Sequence, residues 1–151
     1  MNQEQPRVGV GLLLLRDGKV LWGKRKGALG NGLWGGVGGH LEHGETAEQA
    51  ILRELAEECG MTVKNLRMLC VSDFLTHFPR HYLDIGFVAE WESGEAKIME
   101  PDKLERWEWR DLDDLPDHVF APMRGYIEAY KTGKNYFTYP PEPFVTSMIR
   151  R

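Results

Sequence analysis

Near the N-terminus, Val8-Gly9-Val10-Gly11-Leu12-Leu13-Leu14-Leu15 is apolar or glycine throughout, which predicts a buried strand. Arg16-Asp17-Gly18-Lys19 breaks the run with an Asp-Gly pair, and Val20-Leu21-Trp22-Gly23 resumes it, so the two runs predict a β-hairpin. Gly27 to Gly44, with Trp34 and Gly35-Gly36-Val37-Gly38-Gly39 inside it, is too glycine-rich for a helix. Thr46 to Cys59 predicts a helix marked at both ends. Thr46 and Gln49 have the spacing of a capping box, and Gly60 stands where a left-handed residue ends a helix. Leu66 to Phe78 and His81 to Trp91 predict strands joined by a turn near Pro79-Arg80. Arg106-Trp107-Glu108-Trp109 predicts another strand, and Asp117 to Lys131 a second helix. The Pro- and aromatic-rich tail from Thr132 is expected to pack on the surface or on a second subunit. The order describes an α+β protein, a mixed sheet with helices appended, in a single domain over 1–151.

Hydrophobic residues make up 42% of the 151 positions and charged residues 28%, which excludes a largely disordered chain. With 19 Lys and Arg against 23 Asp and Glu, the net charge is −4, a poor basis for binding long nucleic acid. A small anionic ligand stays open to it if cations are local or a metal is recruited. The polar start, Met1 to Arg7, has no apolar segment of signal-peptide type. No apolar run is long enough to cross a bilayer. Cys59 and Cys70 stand apart, outside any metal-type pair, and read as buried thiols in a reducing cytoplasm.

The first helix carries the chemistry. At roughly 100° per residue, Glu54, Glu57 and Glu58 fall in one wedge, beside the apolar wedge of Ile51, Leu52, Leu55 and Cys59. Like-charge pairs three or four residues apart cost a helix about 0.2–0.5 kcal/mol each, and more when partly desolvated. Arg53 projects about 100° away and is not expected to neutralise the cluster alone. A hard divalent cation would do so, and Mg²⁺ accepts one or two carboxylates together with substrate phosphates. The competing reading is a solvated acidic face. The glycine loop just before the helix tips the balance, because it admits close backbone approach and leads to an anion-favouring helix N-terminus.

Gly39, Glu45, Arg53, Glu54, Leu55, Glu57, Glu58, Gly60 and Met61 stand in the order G-x5-E-x7-R-E-U-x-E-E-x-G-U, with U apolar. This resembles the signature of the Nudix hydrolases, and all nine positions are filled. Gly23-Lys24-Arg25-Lys26-Gly27, Glu105-Arg106-Trp107-Glu108-Trp109 and Leu115-Pro116 extend the resemblance to MutT-type nucleoside triphosphate diphosphatases, most of all the type-15 branch. The resemblance implies a Nudix-type α/β/α sandwich with a mixed sheet and a loop-helix-loop catalytic segment. It implies that Glu54, Glu57 and Glu58 bind Mg²⁺ (or Mn²⁺), that the Gly39 carbonyl adds a ligand, and that Glu45 braces Arg53. It further implies hydrolysis of a nucleoside triphosphate to monophosphate and pyrophosphate, with Glu54 or Glu57 as base. One departure is visible: Val37 stands before Gly38-Gly39 where related chains carry Pro, which bears on loop rigidity.

Other residues are set against blander roles. Arg25 and Lys24 read as phosphate-attracting cations or a solvated basic turn. His40 reads as a substrate contact, as in the similar branch, and His43 as a loop residue. Tyr82 and Asp84 share a strand face, one of them at a pocket edge or both on ordinary sheet surface. Phe120 with Met123 would cover a base or fill core. Trp107 and Trp109 read as core or interface. Hydrolysis of ADP-ribose or another nucleoside diphosphate derivative, a non-catalytic nucleotide-binding module, and an acidic-helix scaffold are the alternatives. The partner is a small nucleotide, not long nucleic acid or a membrane; a cytoplasmic location and a homodimer complete the expectations.

Overall fold

A computed structural model describes residues 5–27 and 31–141. The expectations for Met1–Glu4 and for the tail beyond 141 lie outside the described residues, as do positions 28–30 of the glycine stretch.

β1 (Arg7–Arg16) and β2 (Lys19–Arg25) form the predicted hairpin. Asp17 and Gly18 both take positive φ, 51° and 78°, as a tight turn matched to the strand twist requires. The glycine stretch holds two short strands, β3 (Trp34–Gly35) and β4 (Val37–His40). α1 (Ala47–Glu58) has both halves of the capping box: Gln49 N–H donates to Thr46 Oγ1 at 3.1 Å, and Thr46 N–H to Gln49 Oε1 at 2.8 Å. Gly60 closes the helix at φ 73°. β5 (Thr62–Phe74), β6 (Tyr82–Ser93) and β7 (Leu104–Asp111) follow, then α2 (Ala121–Thr132) and β8 (Tyr136–Tyr139).

One eight-stranded mixed sheet runs β3-β2-β1-β6-β5-β8, with β4 also paired to β1 and β7 to β2. β1 lies parallel to β6, Gly9 opposite Asp84 and Gly11 opposite Gly86. The alternation of β1 divides the interior. Val10, Leu12 and Leu14 face the cluster under α1, with Ile51, Leu55 and Phe87, while Leu13 faces the cluster under α2, with Trp22, Met123 and Tyr126. Each such buried side chain contributes about 1.5–3 kcal/mol, so both faces of the sheet are held. The architecture is the expected α/β/α arrangement.

Four expectations need correction. α2 begins at Ala121, not Asp117, because Pro122 is tolerated only in a first turn and Val119 is bridged to Trp34. β5 starts and stops four residues earlier than predicted, the chain turning after Phe74. The tail is no surface appendage up to Tyr139: β8 extends the sheet parallel to β5 and buries Phe137. Leu52 is 45% exposed, and Ala50 takes its place in the buried stripe. Cys59 and Cys70 are buried free thiols, and burial pushes them up to about 11 and about 12. No described helix is long and apolar enough to cross a membrane.

Candidate active site

A cleft of about 720 Å³ opens between the C-terminal half of α1 and the sheet, and continues across the sheet floor to α2. That volume suits a nucleotide-sized ligand. Two very different walls enclose it.

The first wall is local in sequence. α1 presents Glu54, Glu57 and Glu58, and β4 runs beside them. Gly39 makes this approach possible: a Cβ there would come closer than 3.0 Å to the Glu54 carboxylate. At Gly38 a Cβ would strike the Val10 carbonyl, so β4 can lie this close to β1 only as glycine. Arg53 Nη2 lies 2.7 Å from Glu45 Oε1, and Nε donates to Glu45 Oε2 at 3.1 Å, a two-pronged pair. The same guanidinium donates to Glu54 Oε2 at 3.0 Å, to Glu57 Oε1 at 3.2 Å and to the His40 carbonyl at 2.9 Å. Glu45 is held below the usual carboxylate range, first by the hydrogen bond from Arg53.

This corrects the expectation that Arg53 points away from the cluster. Its Cβ does, but a long side chain folds back along the helix. Glu58 remains outside its reach. Burial, then the hydrogen bond and charge of Glu54, push the Glu58 carboxyl up to about 9, against the opposing pull of Arg25 and of a Gly38 backbone bond. Among the described residues no three acidic, His or Cys side chains are grouped tightly enough to hold a metal by themselves. Glu54 and Glu58 are the close pair, while Glu57 lies half in solvent beside Arg53.

The second wall is assembled from distant segments. Arg25 lies over the Phe120 ring at 5.4 Å, and Phe120 meets Phe74 edge-on at 5.3 Å. His40 stacks on Tyr82 at 5.4 Å. Burial, then the charge of Arg7, lowers the His40 imidazole. Asp84 is buried and accepts a hydrogen bond from the Tyr126 hydroxyl. Burial raises it to about 6, against the Tyr126 hydrogen bond.

Arg25, His40, Tyr82, Asp84, Phe120 and Met123 therefore all line the cleft. Lys24 does not: strand alternation turns it to the other face of β2, where it lies 3.7 Å from Glu105. Reading the sequence also missed Phe74, Tyr126 and Glu100, which line the cleft. Gly11 and Gly86, both placed against Tyr126, were the available signal for it.

The NUDIX domain model matches residues 5–130. The chain belongs to the NUDIX domain family. An oxidized purine nucleoside triphosphate hydrolase of Danio rerio is 35% identical over 105 residues, 70% of this chain and 66% of the relative. An ADP-ribose pyrophosphatase of Methanocaldococcus jannaschii is 35% identical over 131 residues, 86% of this chain and 76% of the relative. The chain spans less than half of several longer relatives, 32% and 41% of their lengths. Among solved structures, a MutT NUDIX hydrolase from Burkholderia pseudomallei superposes with a TM-score of 0.79 at 38% identity, covering 83% of this chain and 98% of that one. The mixed sheet with two helices is thus the α+β Nudix fold. In it, the glycine loop and α1 form the acidic wall of the cleft, and β6 and α2 form the aromatic one.

Proposed function

We propose that this Nudix protein hydrolyses a nucleoside triphosphate to the monophosphate and pyrophosphate, with Mg²⁺ as cofactor and Mn²⁺ as a substitute. The observation that carries this reading is the Glu54–Glu58 pair at the acidic wall, beside Arg25. Two carboxyls pressed together need a proton or a cation between them. Mg²⁺ is commonly held by one or two carboxylates, with waters and substrate phosphates completing its shell. A close pair with an open side therefore fits it better than a closed cage would. Glu54, Glu58 and the Gly39 carbonyl would hold it, with Glu57 at the edge. When bound it supplies charge neutralisation and Lewis acidity toward phosphate oxygens.

The chain's own residues do the rest in this reading. Arg25 draws the phosphate chain into the cleft. Glu45 and Arg53 keep the loop and α1 in fixed relation. Glu57, with half its side chain open to solvent, takes the proton of the attacking water; Glu54, enclosed and paired with Glu58, is the other candidate. The water oxygen bonds to phosphorus as the bridging P–O bond breaks, and the electron pair leaves with pyrophosphate.

A second reading, hydrolysis of ADP-ribose, is favoured by the archaeal relative named for that activity. Product analysis of nucleoside triphosphates and ADP-ribose, each with Mg²⁺ and with EDTA, separates the two. Metal-dependent pyrophosphate release from triphosphates supports the first. AMP and ribose phosphate from ADP-ribose alone support the second. Nucleotide binding without turnover under any metal supports a non-catalytic module. The same reading has the protein acting on free nucleotides in the cytoplasm, as a homodimer, which sedimentation tests.

A further inference from the structure

Asp84 is the one buried acidic residue among the described residues. It sits on β6 in the sheet floor, in no ion pair among the described residues, and its Oδ2 accepts from the Tyr126 hydroxyl. Tyr126 cannot easily move. Its ring lies on Gly11 and Gly86, where a Cβ at either position would come closer than 3.0 Å to it. A phenol beside a carboxylate donates, which occupies one lone pair of Oδ2 and leaves its second, with both of Oδ1, for two donors of a ligand.

Oδ1 has a different situation. It accepts no hydrogen bond from the described residues. It faces Gly9, whose missing side chain leaves the floor open: a Cβ there would sit 3.4 Å from Oδ1. Oδ1 is not sealed away: it belongs to the lining of the cleft, where a ligand's donor can reach it. Phe74, Phe120 and Tyr82 line the same cleft, the rings of Phe120 and Tyr82 lying 5.3 and 6.5 Å from that of Phe74. A flat heteroaromatic ring between such walls would bring its polar edge to Asp84.

We infer that Asp84, positioned by Tyr126, is the residue that reads the nucleobase, and that it selects a guanine-type edge. This rests on the nucleotide reading proposed above. A carboxylate offers acceptors only. A guanine edge carries two neighbouring donors, N1–H and the 2-amino group. Adenine and cytosine set an amino group beside a ring acceptor, and uracil flanks its N–H with carbonyls, so each would turn an acceptor toward the carboxylate.

The test is calorimetric titration of the full chain with 5′-monophosphates, without metal, so that it reads the pocket whether or not the protein hydrolyses triphosphates. GMP is expected to bind about tenfold or more tightly than AMP, CMP and UMP, on the scale of one hydrogen bond to a charged group. Inosine monophosphate, which lacks the 2-amino group, is expected to lose about tenfold relative to GMP on the unaltered protein. Asp84→Asn should abolish the preference for GMP while leaving the other three affinities within about threefold. Tyr126→Phe, which keeps the carboxylate, should retain the preference. Equal binding of GMP and inosine monophosphate, equal weakening of all four bases by Asp84→Asn, or no binding of GMP would each overturn the inference. Loss of triphosphate turnover with the GMP preference intact would overturn only the hydrolysis reading.

Discussion

The two walls of the cleft handle negative charge in opposite ways. At the acidic wall, Glu42, Glu45, Glu54 and Glu57 gather around Arg53, all within sixteen positions of one another, partly open to solvent. At the aromatic wall, one carboxylate is buried with a tyrosine as its only described partner, and the groups around it come from five different elements or their ends. The first arrangement tolerates many charges because water and a shared guanidinium screen them. The second tolerates one because it is bonded on one oxygen and opens to the cleft on the other. A charge-dense wall suits the polyanionic end of a ligand with a counter-cation; an aromatic wall with one carboxylate suits its uncharged ring.

The contrast can be broken most directly at Glu58. Glu58→Gln should keep the fold, judged by circular dichroism, and lower metal-dependent turnover about a hundredfold or more. Unchanged turnover would detach the acidic wall from the chemistry. Arg53→Ala comes next. It frees four carboxylates at once and should lower kcat about tenfold to a hundredfold through misplacement of the glutamates. Being partly exposed, it should cost the fold only about 1 kcal/mol in a denaturant titration.

Gly86→Ala sharpens the other side. The new methyl meets the Tyr126 ring closer than 3.0 Å, and about 1–3 kcal/mol of stability should be lost. The acidic wall should be untouched, so metal affinity should not change. The last effect, read as a pH dependence, is expected at Asp84. Its carboxyl is raised from 3.8 to about 6 in the folded protein, so the folded state binds more protons than the unfolded one between those values. Asp84 therefore weakens the fold progressively as pH rises from 3.8 to about 6, and no further above that. The melting temperature of Asp84→Asn relative to the parent should climb over that window and then level off. A flat difference would mean that burial does not disfavour the charge.

Legibility followed sequence distance. The hairpin at Asp17-Gly18, the α1 caps at Thr46, Gln49 and Gly60, and the nine-position frame from Gly39 to Met61 are encoded by near neighbours and could be read directly. The start of α2 was misplaced because Val119 is held by Trp34, a partner 85 positions away, and helical spacing says nothing of it. β8 escaped because its pairing with β5 crosses more than sixty positions. Lys24 and Arg25 are neighbours of identical charge, and only strand alternation against a known floor separates them.

What residue order alone established is the loop and helix from Gly39 to Met61: capping, helical phase and the glycine spacing are short-range effects that each dictate conformation within a few residues. The meeting of Asp84, Tyr126, Gly9, Phe74 and Phe120 was settled by tertiary packing. Parallel pairing of β1 with β6, and the seating of α2 on Gly11 and Gly86, are long-range contacts whose energy comes from burial, and burial has no period that a linear reading can follow.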